Sequence, residues 1–423
     1  MPINRRQFIK RSASAVSVSL MLPKLWKGEA RGQSPVTADR RIFVVIQLAG
    51  GNDGLNTVVP YTDSRYYAAR PSISFKESEL KDAQGSSTII SDQFGLHPSL
   101  TKVKQLYDAG KVAIALGVGY PEPNLSHFTS MDIWHTANPT GRGEGWLGRY
   151  ADQALAGQTG VRAASIGGLL PKTLASNKVV VPSISSFEAF GFQTDFKYPA
   201  NRDIQINAFN SIYNRGFSDD TYLGATTRLG SDAVKAAFRI SSVPSSYRST
   251  ITYPVTPIGG ALKMSAAIIT TITEADLLYV SMGNFDNHGG QVTPGNKLAG
   301  AHANLLTQFS EGVKAFYDDM AEHGLADNVL MMQWSEFGRR PNENGSLGTD
   351  HGTAAPMLIV GNPVRGGVYG RQPSLAVTDL DLAGNLKFTL DFRSVYGTIL
   401  DHWLGSDSQS VLGSKFEDVG FLG

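Results

Sequence analysis

The chain has 423 residues, 41% hydrophobic and 18% charged, with 45 glycines and no cysteine. That balance excludes a disordered, coiled-coil or collagenous chain, and the missing thiols exclude a disulfide framework, a cysteine nucleophile, a thiolate zinc site and a lipobox anchor. Net charge is +1, but residues 1–32 carry seven Lys/Arg against Glu29, so the remainder is acidic at −5, and no nucleic-acid partner is expected.

In chain order, Asn4-Arg5-Arg6-Gln7-Phe8-Ile9-Lys10 comes first, followed by a mild Ala/Ser/Val stretch from Ser12 to Leu22. Paired arginines, an aromatic residue and a lysine before a short apolar run resemble a twin-arginine export signal. Residues 1–32 are expected to be that signal, with cleavage after Gly32 in Ala30-Arg31-Gly32. This implies the twin-arginine translocase as a partner, a periplasmic or secreted location, and no stable membrane span in the mature chain.

Residues 33–423 read as one α/β domain. Arg41–Leu48 is a continuous apolar run ending in a glycine-rich turn that holds Asp53, the pattern of a strand buried on both faces. A helix is expected over Ser99–Ala109, a strand over Val112–Leu116 and a helix over Ser126–His135. The polar stretch 176–253 reads as an insertion or cap. Strands are expected at Leu277–Ser281, Asn328–Trp334 and Pro356–Val360, and a long helix at Lys297–His323. Alternating elements of this kind form a doubly wound, mainly parallel sheet flanked by helices. Residues 342–349 read as loop, with no strand leading into Asp350.

The chemistry-bearing residues cluster just beyond these strands. Asp53 follows the first, Asp286 and His288 follow Leu277–Ser281, Glu336 follows Asn328–Trp334, and Asp350-His351 precede Pro356–Val360. Open α/β sheets bind ligands at the carboxyl ends of their strands. Carboxylates and imidazoles delivered there suit one or two divalent ions of the zinc or manganese type. Each residue also has a simpler use: Asp53 in its glycine turn, Asp286 and His288 in a local loop, Glu336 beside Arg339 and Arg340. Ser126 opens a helix after the second strand. It is either an N-cap or a nucleophile helped by the helix N-terminus, with His127 beside the ion or the leaving group.

The segments LAGGNDGLNTVVPY, NLSHFTSMDIWHT, GNFDNHGG and SEFGRRPNENGSLGTDHG, behind the export signal, resemble the exported family called domain of unknown function 1501. The resemblance implies an alkaline phosphatase/sulfatase-like α/β core. It implies metal roles for Asp53, Asp286, His288 and His351 and a nucleophile at Ser126. Glu336-Phe337-Gly338 would stand where that superfamily has Asp-His-Gly, putting a phenylalanine in a ligand position; Asp350-His351-Gly352 is the competing match. The expected activity is metal-dependent hydrolysis of a phosphate or sulfate ester, of a small molecule or glycan. The rival is a non-catalytic metal-binding envelope protein that binds glycan or protein.

Overall fold

A computed structural model describes residues 40–187, 190, 198–213, 217 and 221–423. Residues 1–32, expected to be an export signal, lie outside the described residues. Strand β1 (Ile42–Leu48) is buried along its whole length. Ile42, Val44, Ile46 and Leu48 join one core cluster while Phe43 and Val45 join another. Successive side chains point to opposite faces, so an unbroken apolar run is what a sheet covered on both sides requires.

Two small strands, β2 (Val58–Val59) and β3 (Gly95–Leu96), pair with each other. The main sheet adds β4 (Val112–Gly119), β5 (Ala163–Ile166), β6 (Ser183–Ile184), β7 (Leu277–Met282) and β8 (Val329–Trp334). A ribbon of β9 (Arg339–Glu343) and β10 (Thr349–His351) precedes β11 (Ala355–Val360), β12 (Gly367–Gly370) and β13 (Leu390–Asp391). The order is β12-β4-β11-β8-β1-β7-β5-β6, with β13 also on β4. Among the described strands of this main sheet, β11 runs against its neighbours and the other pairings are parallel. The mixed α/β class and the mainly parallel sheet agree with the sequence reading.

One face is covered by the helices Pro257–Thr271 and Ala301–Glu322. The second buries Leu306, Phe309, Val313, Phe316 and Met320, an apolar stripe at helical spacing. The other face packs Trp134, Trp146 and Tyr396 against Trp334 and Phe43. Within 176–253, the helix Tyr222–Ser246 inserts Ile240 and Val243 into the first cluster, so this part of the stretch is continuous with the core. No described helix is long and apolar enough to cross a membrane.

Two differences from the sequence reading bear on the site region. The long helix starts at Ala301, after an extended Gly300 (φ −142°), and Lys297 lies outside it, bound by Glu79 (2.8 Å) and the Ser74 carbonyl (2.5 Å). Residues 342–349 are not simply loop. Glu343 pairs with Thr349 and Arg339 with His351, so a strand does lead through Asp350. A ribbon this short and polar has no apolar alternation to reveal it.

Candidate metal centre

Three loops meet where β1, β7 and β8 end. At Gly50 the backbone has φ +121°, and a Cβ there would lie 2.5 Å from the Asp286 nitrogen. Only glycine lets the loop after β7 come this close. Arg339, buried just after β8, fastens the loops together. Its guanidinium donates to the carbonyls of Gly51 (2.6 Å), Thr349 (2.8 Å) and Phe285 (3.1 Å), to that of Gly50, and to Asp286 Oδ1 (2.7 Å). Glu336 is fully buried and accepts from the Gly50 N–H at 2.8 Å.

On this frame three imidazoles surround Asp286. His127 Nδ1 lies 2.8 Å from Glu336 Oε1, His288 Nδ1 3.0 Å from Asp350 Oδ1, and His351 Nδ1 2.9 Å from the Leu125 carbonyl. Carboxylates and carbonyls only accept, so each Nδ1 carries the proton. In the neutral rings the Nε2 atoms then present lone pairs, and all three turn to the Asp286 carboxylate: His288 and His351 at 3.1 Å from Oδ1, His127 at 3.5 Å from Oδ2. His127 Nε2 is buried without a hydrogen-bond partner. Ligand atoms of His127, Asp286 and His351 lie within 4.8 Å of one another. Lone pairs facing a carboxylate repel unless a cation lies between them. Histidine ligands characteristically donate their far N–H to a carboxylate or carbonyl, as here. The residues therefore fit a zinc-type ion.

Electrostatics agree with an anionic Asp286. Partial burial opposes ionisation of Asp286, but the hydrogen bond and charge of Arg339 outweigh it and hold the carboxyl at about 2. Burial lowers the His351 imidazole below its ordinary value, against the opposing pull of Asp286 and the Leu125 carbonyl. Hydrogen bonds from His288 and Asn344 hold Asp350 below the usual carboxylate range.

The other expected site residues are distributed around this group. Asp350 and Glu336 touch it through His288 and His127. Asp53 stands apart, buried, with Oδ2 taken by Arg70 (2.6 Å) and Gln291 (2.5 Å). Ser126 occupies the N-cap position of the helix His127–Thr136 and is exposed, yet its side chain makes no capping hydrogen bond. His135 Nε2 lies 3.2 Å from the Tyr279 hydroxyl, away from this group. A second ligand-like group, Asp319, Glu322 and His323, precedes β8 at the opposite sheet edge. It is already engaged: Asp319 by Tyr247 and Tyr253, Glu322 by Ser249 and Thr250.

Arg70 and Arg339 are the functional-region residues that the sequence reading passed over. The sequence presents Arg339 only as a neighbouring charge for Glu336. A buried guanidinium makes no periodic signal, and its acceptors here are mostly carbonyls scattered along the chain.

Residues 40–415 match the family described as "Protein of unknown function (DUF1501)". The chain belongs to this family. No curated protein sequence matches it. Among solved structures, one similar to it is the soluble domain of lipooligosaccharide phosphoethanolamine transferase A from Neisseria meningitidis. The identity is 10% and the TM-score 0.38, over 90% of each chain. A second is the PsFucS1 sulfatase from Pseudoalteromonas sp., at 10% identity and TM-score 0.37 over 91% of this chain and 74% of that one. A third is an alkaline phosphatase superfamily protein from Vibrio parahaemolyticus, at 8% identity and TM-score 0.36 over 90% and 69%. Likenesses this distant do not assign an activity; the site geometry has to.

Proposed function

We propose that this DUF1501 chain is an exported, metal-dependent hydrolase or transferase acting on phosphate or sulfate esters. The observation that carries the reading is the orientation of His127, His288 and His351: every Nδ1 is held from outside, and every Nε2 faces Asp286. His127, Asp286 and His351 would hold the ion, with His288 beside them. A bound zinc or manganese ion would supply Lewis-acid stabilisation of the charge that develops on an ester oxygen. One ion is favoured over two, because Asp53 is neutralised by Arg70, and Glu336 and Asp350 each face a histidine.

Ser126 adjoins His127 at the start of a ten-residue helix whose N-terminus favours an anion. In this reading its oxygen bonds to phosphorus or sulfur as the ester's alcohol leaves with the serine proton. Water or a second alcohol then takes the group from the serine. Phe337 supports the rival, a non-catalytic metal-binding protein. Its ring packs on His127 and His351, with centroids 4.9 and 4.6 Å away, and so covers two of the ligands.

Metal analysis of the purified mature chain, then assay of phosphate and sulfate monoesters and diesters, separates these readings. One equivalent of metal with turnover supports the enzyme; metal without turnover supports the rival; no metal ends both. Ser126→Ala is expected to abolish turnover while metal content stays whole. Because no cap bond is lost, its stability cost should fall below the roughly 1 kcal/mol of a true N-cap. An active Ser126→Ala protein would remove the nucleophile and leave the metal centre. Glu336→Gln is expected to weaken metal affinity about tenfold, since the group orienting a metal-bound histidine is worth about 10- to 100-fold; competition against a chelator measures it. Export is tested by Arg5→Lys with Arg6→Lys, which should strand the protein in the cytoplasm; normal export would exclude the twin-arginine route.

A further inference from the structure

Beside the metal centre lies a cavity of about 300 Å³ at the end of β4. Tyr120, Pro123, Phe337, Leu386 and Phe388 form its apolar wall. Two features join it to the site. Phe337 lines the cavity and packs at a tilt against both His127 and His351. The segment from Tyr120 to His127 runs from the cavity wall to the ligands, with the Leu125 carbonyl holding His351 on the way.

The wall has little to offer a sugar. The Tyr120 hydroxyl is used by Ser130 (2.8 Å) and the Asn124 N–H (3.0 Å), and the Thr353 hydroxyl donates to the Leu386 carbonyl. Asp381 accepts from the backbone of Asn385 (2.7 Å) and Ala383 (2.9 Å) in its own loop. Lys387 is the charged group left, and it is exposed. A glycan placed here would bury hydroxyls without partners, which is costly for each one. An aromatic ring would instead meet the rings of Tyr120, Phe337 and Phe388. The volume is at the small end for ligand pockets, enough for one compact apolar group rather than a chain of sugars.

The geometry points to an aryl alcohol as the leaving side of the ester, seated in this cavity while the tetrahedral oxyanion faces His127, Asp286 and His351. This rests on the metal-centre reading above and narrows its substrate class. The alcohol departs as in the scheme already given, with the serine proton, so no further reactant is required.

The test is calorimetric titration of the zinc-loaded protein with 1-naphthol and with glycerol, and then with 1-naphthyl phosphate and glycerol 3-phosphate. Saturable binding of one naphthol is expected, together with at least tenfold tighter binding of the naphthyl ester than of the glycerol ester. Leu386→Trp, which fills the cavity, should weaken naphthol binding at least tenfold while zinc stoichiometry is kept. Phe388→Asp, on a half-buried ring, reads the same effect if the first variant does not fold. Zinc uptake with equal affinity for the two esters, or naphthol binding unchanged in a folded variant, overturns the aryl assignment alone. Failure to take up zinc, with naphthol still bound, overturns the ester reading at the metal centre and identifies the cavity as an unrelated apolar site.

Discussion

Asp286→Ala is expected to lower zinc affinity by more than about 100-fold, beyond the 10- to 100-fold attached to groups that only orient ligands. Asp286 is the carboxylate that His127, His288 and His351 all face, and Arg339 fixes its position at 2.7 Å. Its loss removes the anionic ligand and leaves three imidazole lone pairs beside a buried guanidinium. The same change should remove most of the stabilisation by zinc. In the parent protein, free zinc at 100 times its dissociation constant should add about 2.7 kcal/mol to unfolding stability by mass action. In Asp286→Ala, that increment should fall below about 0.4 kcal/mol at the same zinc concentration. Chelator competition measures the affinity and urea unfolding with and without zinc measures the increment. Wild-type zinc affinity in this variant would remove the metal centre.

Arg70→Met is expected to destabilise the protein by about 3–5 kcal/mol, the cost of leaving a buried charge without its partner. Arg70 is fully buried and donates to Asp53 (2.6 Å), Asn56 (2.9 Å) and the carbonyls of Pro341 (2.7 Å) and Arg340 (2.9 Å). Asp53 also accepts from Gln291, which in turn accepts from the Thr349 hydroxyl at 2.8 Å. The ion pair thus sits beneath the ribbon that carries His351. Asp53→Asn added to Arg70→Met should recover a large part of the loss, because the stranded charge is gone; a single-variant loss below about 1 kcal/mol would show the pair is not energetically coupled. The acid dependence has a definite sign. Burial raises the Asp53 carboxyl, but the Arg70 charge and hydrogen bond outweigh it, leaving the net value below its ordinary 3.8. Its contribution is therefore whole above the unfolded value and is lost as pH falls through the depressed one. Urea midpoints in the parent should fall with acid over that window, and less so in the double variant.

The sequence by itself determined the central buried strands and the edge of the sheet at which the candidate site lies. Arg41–Leu48, Leu277–Ser281 and Asn328–Trp334 are apolar without alternation, and such runs belong to strands covered on both faces. The loops after them then hold Asp53, Asp286, His288 and Glu336 at one edge, as parallel strands dictate. The tertiary structure decided which of these residues meet. Asp53 and Asp286 leave neighbouring strands, yet Asp53 goes to Arg70, which lies 17 positions along the chain and carries no periodic signal. His351 comes to the edge by another route. It precedes β11, the reversed strand, so the start of that strand lies beside the ends of β8 and β4. Strand direction depends on pairing partners, and hydrophobic pattern is blind to it. His127, read as lying beside the ion or the leaving group, faces Asp286 directly only because buried Glu336, distant in sequence, holds its Nδ1. Hydrogen-bond partners of that kind are set by packing between segments, after the local pattern has done its part.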